Sequence, residues 1–139
     1  MTNITQDSLA AIERHATETY PHECCGALLS SGDVIVGTFA LDNTTDGPAE
    51  RRFLVGPGEY RRAEQWASAQ GGTLAGFYHS HPDHPARPSQ TDLDNAWPNF
   101  LYVIVSVVGA VPRDITCWRL KEDRQAFERG DLKPWPTES

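Results

Sequence analysis

The sequence is poor in cysteine, methionine and positive charge. Its 139 residues include three cysteines and one methionine, and 12 Lys and Arg stand against 19 Asp and Glu, which gives a formal net charge of −7. So few cysteines without a framework spacing argue against a disulfide scaffold. The acidic surplus disfavours nonspecific binding to nucleic acid or to an anionic membrane. We therefore expect neither as a partner.

Long hydrophobic runs are also missing. The longest apolar stretch covers residues 101–111 and is interrupted by Ser106 and Gly109, so it is too short to span a bilayer. The opening "MTNITQDSLAAIERHA" lacks the positive segment and apolar segment of a signal peptide. We expect a cytoplasmic protein, and the length predicts one domain over residues 1–139.

The apolar pattern predicts an α/β fold, a mixed β-sheet flanked by helices. Helical spacing indicates a first helix from Ile4 to Tyr20 and a second over residues 57–70. The remaining elements are a hairpin around Gly32–Asp33, strands at 51–55, 73–81, 101–108 and 113–120, a short helix from Ser89 and a further strand near Phe127. Residues 129–139 are expected to form a frayed tail.

The stretch "HSHPDHPARPSQTD" concentrates residues that bind metal. On a strand, residues i and i+2 point to the same face, so His79 and His81 would project together. Two or three imidazole or carboxylate ligands are what a zinc site uses. Asp92 is the candidate third ligand, because the proline-rich loop can return the helix that begins near Ser89 to the strand tip.

Simpler interpretations exist for each of these residues. A histidine pair alone is common, and Ser89-x-x-Asp92 is also a helix-capping pattern. His84 is expected to be a solvated loop residue. Glu23, in "PHECCGALL", is either an exposed turn residue or a buried carboxylate with a functional role, since burying a carboxylate without one is costly. The residues alone leave these alternatives open.

Together, Glu23 and the later His-x-His-x7-Ser-x2-Asp pattern resemble the JAMM motif of the metal-bearing JAB/MPN zinc peptidases. The resemblance implies a cytidine-deaminase-like α/β fold and one zinc ion per chain, held by His79, His81 and Asp92. It further implies that Glu23 is the general base. Ser89 would donate a hydrogen bond to the oxyanion of the tetrahedral intermediate. All five key positions are filled.

The chain is compact and is similar to the small prokaryotic members of that family. The resemblance implies a peptidase or isopeptidase whose partner is a ubiquitin-like sulfur-carrier protein with a Gly-Gly tail. The enzyme would trim residues after the diglycine or release cysteine from the carrier. Neither the carrier, the bond type nor the oligomeric state follows from the sequence.

Three other functions are alternatives to a zinc peptidase. A metal-free MPN-type binding scaffold is the main alternative. A zinc deaminase would need an H-x-E and a P-C-x-x-C, and neither occurs here. A cysteine hydrolase would use Cys24 or Cys25, but adjacent strand residues point to opposite faces, so one of the two is expected in the core.

Overall fold

A computed structural model describes residues 2–43, 56–94, 96–97, 99–121, 123 and 125–135. It contains eight strands and three helices within those ranges. In chain order they are β1 (Thr2–Thr5), α1 (Gln6–Thr19), β2 (Cys25–Ser31), β3 (Val34–Leu41), α2 (Pro57–Ala69), β4 (Thr73–Pro82), α3 (Gln90–Asp94), β5 (Leu101–Val108), β6 (Val111–Leu120), β7 (Phe127–Gly130) and β8 (Leu132–Trp135).

The strands form one mixed sheet in the order β7-β6-β5-β4-β2-β3-β1-β8. β4 and β5 pair in parallel, with α3 in the connection between them, whereas β2 is antiparallel to both β3 and β4. This arrangement confirms the predicted α/β class with a mixed sheet flanked by helices. None of the helices in the described ranges is long and apolar enough to cross a membrane.

Local sequence signals set the helix and turn boundaries. The Thr5 hydroxyl accepts the Ser8 N–H at 3.2 Å and caps α1. Pro57 begins α2, where a missing N–H costs no helical hydrogen bond. Gly32 takes a φ of +60° in the tight β2–β3 turn, a conformation that favours glycine. The hairpin and the second helix therefore form where the sequence predicted them.

The sheet is buried on both faces, with a separate apolar core on each. One core includes Ile12 of α1 and Tyr78 of β4, and the other includes Ala63 of α2 and Phe77 of β4. Leu101 to Val107 of β5 are all buried, as expected for a central strand with helices on both sides. The two helices thus hold the central strands, and the end of β4, in a fixed position.

The structure corrects the prediction at both ends of the chain. Residues 2–5 form β1, which pairs in parallel with β3 and β8, so α1 begins at Gln6 rather than Ile4. Residues 129–135, expected to belong to a frayed tail, lie in β7 and β8 as edge strands of the sheet. Long-range pairing defines these short strands, and a local pattern does not reveal it. The strand predicted at 51–55 and residues 136–139 fall outside the described residues.

Candidate metal centre

Antiparallel pairing of β2 with β4 brings the two halves of the candidate site together. Cys25, the first residue of β2, pairs with His79 near the end of β4. Glu23 lies two residues before Cys25, so its carboxyl group reaches the same end of the sheet. The alternation of side chains along β4 places His79 and His81 on one face, as predicted, with Ser80 on the other.

His79, His81 and Asp92 converge on one point, and we call these three residues the His/Asp cluster. The Nε2 atoms of the two histidines are 3.1 Å apart, and Asp92 Oδ2 lies 3.2 Å from His79 Nε2 and 3.1 Å from His81 Nε2. The nearest ligand atoms of these three residues and of Glu23 all lie within 4.8 Å of one another. The structure therefore brings together four of the five predicted site residues as a buried group.

The donor set fits a divalent metal ion. Tetrahedral zinc bonds of about 2.0–2.1 Å place neighbouring ligand atoms about 3.3 Å apart, close to the separations seen here. The His81 Nδ1 lies 2.8 Å from the carbonyl oxygen of Pro85, which can only accept, so Nδ1 carries the proton. In the neutral ring, Nε2 then keeps its lone pair and points into the cluster.

Burial and charge set the protonation of the cluster. Burial keeps the pKa of His79 below its ordinary value, which favours the neutral ring. Burial would also lower the pKa of His81. The hydrogen bond and the negative charge of Asp92 outweigh this effect of burial, so the pKa of His81 is raised above its ordinary value. Burial would raise the pKa of Asp92, but the two histidines lower it far more, and the carboxylate stays ionised. Asp92 thus offers an anionic oxygen and His79 a neutral imidazole to a cation, and His81 offers its Nε2 when its ring is neutral.

Glu23 is buried rather than exposed in the turn, with 5% of its surface accessible. Burial raises its pKa to about 8; the charge of His81 lowers the pKa and that of Asp92 raises it. Its backbone is fixed from both sides, because Asn43 Nδ2 donates to the Glu23 carbonyl at 3.2 Å and Ser80 Oγ accepts the Cys24 N–H at 2.9 Å. A buried carboxyl with a raised pKa beside a metal-type cluster can exchange a proton near neutral pH.

Ser89 and Asp92 form a reciprocal cap at the start of α3. The Ser89 hydroxyl accepts the Asp92 N–H at 3.0 Å, and Asp92 Oδ2 accepts the Ser89 N–H at 2.8 Å. The capping interpretation and the cluster are therefore both present in one geometry. The Ser89 hydroxyl accepts in this bond, which leaves its own proton available to a further acceptor.

A cleft of about 550 Å³ opens in front of the cluster, and its walls come mainly from the loop after β4. The described lining residues are Glu23, His81, His84, Pro85, Arg87 and Ser89. Arg87 was missed by the sequence analysis, although it is the one arginine between the histidine pair and Ser89. His84 is exposed, as expected of a loop residue.

Three other side chains that could take part in catalysis, one histidine and the two adjacent cysteines, have structural partners or lie in the apolar cores. His15 on α1 is half-buried, and its Nδ1 lies 2.6 Å from the hydroxyl of Tyr78. The side chains of Cys24 and Cys25 enter the two opposite cores, as alternation predicts. Burial raises the pKa of Cys24 to about 11 and raises that of Cys25 as well, so both favour the unreactive thiol.

The fold and the site together define a class of protein, an α/β domain with a candidate metal centre of two histidines, an aspartate and a buried glutamate beside a cleft. Comparison with known families gives the particular one. Residues 5–121 match the family described as prokaryotic homologs of the JAB domain. The chain belongs to this family, the small prokaryotic branch of the JAMM/MPN proteins, as the sequence predicted.

Individual relatives agree with this placement. The chain is 32% identical to a desampylase of Haloferax volcanii over 114 residues, which are 77% of this chain and 81% of that protein. It is 37% identical over 87 residues, 63% of this chain, to the tail tip assembly protein K of Escherichia phage N15, of which it spans only 33%.

Two solved structures support the same fold. A protein from Salinibacter ruber aligns with a TM-score of 0.75 at 40% identity and covers 98% of this chain and 93% of its own. A JAB1/MPN domain protein from Archaeoglobus fulgidus aligns with a TM-score of 0.64 at 22% identity, over 96% of both chains. Family and site together confirm the predicted enzyme class, a JAMM-type hydrolase of peptide or isopeptide bonds.

Proposed function

We propose that this protein is a zinc-dependent peptidase or isopeptidase that cleaves after the C-terminal Gly-Gly of a ubiquitin-like sulfur-carrier protein. The observation that supports this most is the convergence of the His/Asp cluster and buried Glu23, of which Glu23 and His81 line one cleft. Zinc is the favoured ion because two imidazoles and one carboxylate, with one position left open, are the ligand set of many catalytic zinc sites.

The proposed roles follow from these positions. His79, His81 and Asp92 would hold one zinc ion per chain. A zinc ion so held supplies Lewis acidity and makes a water nucleophilic near neutral pH. Glu23 would act as the general base that takes a proton from the attacking water and would return that proton to the leaving amine. Ser89 would donate a hydrogen bond from its hydroxyl to the oxyanion.

The substrate class follows from the family and from backbone geometry. The relative named desampylase supports a substrate with a ubiquitin-like protein tail. An extended Gly-Gly segment suits a site at the end of a sheet, because glycine lets a backbone approach the catalytic groups closely. The sulfur-carrier partner and the cytoplasmic location are parts of this proposal, and the three free cysteines agree with a reducing compartment.

The direct test incubates the zinc-loaded protein with a purified sulfur-carrier protein that has a short extension after Gly-Gly. Mass spectrometry should show loss of the extension and a new Gly-Gly terminus. An intact carrier after long incubation, with zinc confirmed in the enzyme, would exclude this substrate. The scaffold alternative predicts a protein without stoichiometric zinc, so metal analysis of the same sample separates the two.

A further inference from the structure

The cleft carries one permanent positive charge that the proposed chemistry does not use. Arg87 is exposed and lines the cleft together with Glu23 and Ser89. It is the single arginine or lysine among the described lining residues, in a chain whose formal net charge is −7. A lone cation beside the scissile-bond chemistry is placed to select an anionic group.

The backbone holds Arg87 in a fixed relation to the cluster. The Arg87 N–H donates to the Pro85 carbonyl at 2.8 Å, and the same oxygen accepts from His81 Nδ1 at 2.8 Å. Between them, the carbonyl of buried Ala86 accepts the Thr116 hydroxyl at 2.7 Å. The loop is thus hydrogen-bonded both to a cluster histidine and to β6. These bonds hold the backbone of Arg87 in place at the edge of the cleft.

Two nearby carboxylates, Asp92 and Asp83, are engaged elsewhere, and the third, Glu23, lies beyond ion-pair distance of Arg87. Asp92 contacts the two cluster histidines and the Ser89 N–H. Asp83, at the start of the loop, accepts from the Tyr20 hydroxyl at 2.6 Å and from the Gly109 N–H at 2.9 Å. Across the part of the chain that the structure describes, Arg87 forms no ion pair. Its guanidinium is therefore available to a ligand.

We infer that Arg87 is a specificity-determining residue that binds a carboxylate on the leaving-group side of the scissile bond. This inference rests on the proposed function, in which the two residues before the scissile bond are glycines and carry no side-chain carboxylate. An arginine pairs with a carboxylate through two parallel hydrogen bonds. The substrate class is then a tail with a short extension that ends in a free carboxylate, rather than a tail joined to a lysine side chain within a protein.

The test compares three labelled peptides in which Gly-Gly precedes two further residues. The first ends in a free carboxylate, the second is its C-terminal amide, and the third is an amide with glutamate at the last position. Each is assayed for kcat/KM with zinc-loaded wild type, Arg87→Gln and the control Arg14→Gln, an exposed arginine on α1. Binding is measured separately by fluorescence anisotropy on the Glu23→Gln protein with and without Arg87→Gln, so that cleavage is not required.

A charge-assisted pair predicts that wild type prefers the acid over the amide by about tenfold or more. Arg87→Gln should bring that ratio close to one, and Arg14→Gln should leave it unchanged. Preference for the glutamate amide, with the same Arg87 dependence, would support the carboxylate site and assign it to an acidic side chain. Equal use of all three peptides by wild type, or an acid preference that survives Arg87→Gln, would overturn the inference. If the anisotropy measurements show tighter binding of the acid than of the amide, and this preference depends on Arg87, but no peptide is cleaved, then the proposed function fails and the carboxylate site stands.

Discussion

Replacing Glu23 by glutamine should change the pH dependence of folding stability in the metal-free protein. The pKa of Glu23 rises from its ordinary value of 4.5 to about 8 because the folded chain buries it. A folded-state pKa above the unfolded one means that the stability present below pH 4.5 is lost as pH rises to about 8. Each pH unit between the two values corresponds to about 1.4 kcal/mol, so the loss approaches ~5 kcal/mol. Glutamine resembles the protonated acid and does not lose this stability.

The assay is urea unfolding of both proteins, stripped of metal, between pH 4.5 and pH 9. The cluster residues are present in both, so the difference between the two curves reports the titration of Glu23 together with its charge coupling to His81 and Asp92. That difference should be small at pH 4.5, grow through neutral pH and level off above pH 8, with Glu23→Gln the more stable. Glu18→Gln, an exposed carboxylate on α1, is the control and should shift stability by less than ~0.5 kcal/mol. A difference that stays constant across this range would refute the assignment of Glu23 as a buried, ionisable acid.

Three further outcomes are expected. Gly26→Ala should lose about 2–3 kcal/mol of unfolding free energy, because the added Cβ would overlap the ring of Tyr78. Gly58→Ala, whose added Cβ would contact no packed neighbour within 4 Å, should change the unfolding free energy by less than ~1 kcal/mol. Equal effects of the two substitutions in a denaturation assay would contradict the packing around Gly26. Alanine at Cys24 or Cys25 should leave hydrolysis within a few-fold of wild type, and loss of turnover with zinc and fold intact would instead favour a thiol nucleophile. Zinc affinity, followed by competition with a chromophoric chelator, should fall as pH drops through the histidine range, since protonated ligands release the metal; an unchanged affinity down to pH 4 would exclude histidine ligation.

The sequence was sufficient for the central elements because their signals are local. Alternation along β4 placed both histidines on one face, and the Pro57 start with the apolar spacing of α2 gave that helix within two residues. β1 and β8 are different. These four-residue strands carry no strong periodicity and form through pairing with strands distant in the chain, which only the folded topology supplies.

The candidate site divides in the same way. Spacing made Asp92 a candidate partner of His79 and His81, since a strand tip and the following helix start are neighbours in sequence, and the resemblance to the JAMM motif then favoured the metal site over a helix cap alone. The burial of Glu23 could not be derived locally, because it depends on the register that sets Cys25 beside His79. The place of Arg87 in the site could not be predicted for a related reason, because the cleft forms only where the loop after β4 meets Glu23 from a distant part of the chain.

The central claim is that three side chains from the end of β4 and the start of α3 hold one divalent ion. It is tested most directly by measuring zinc per chain, by mass spectrometry of the metal, after zinc equilibration and desalting. Wild type and Asp94→Asn, an exposed change on the same helix, should retain about one zinc ion per chain, and Asp92→Asn should retain far less. Wild-type protein without zinc, or Asp92→Asn with as much zinc as Asp94→Asn, would contradict the account.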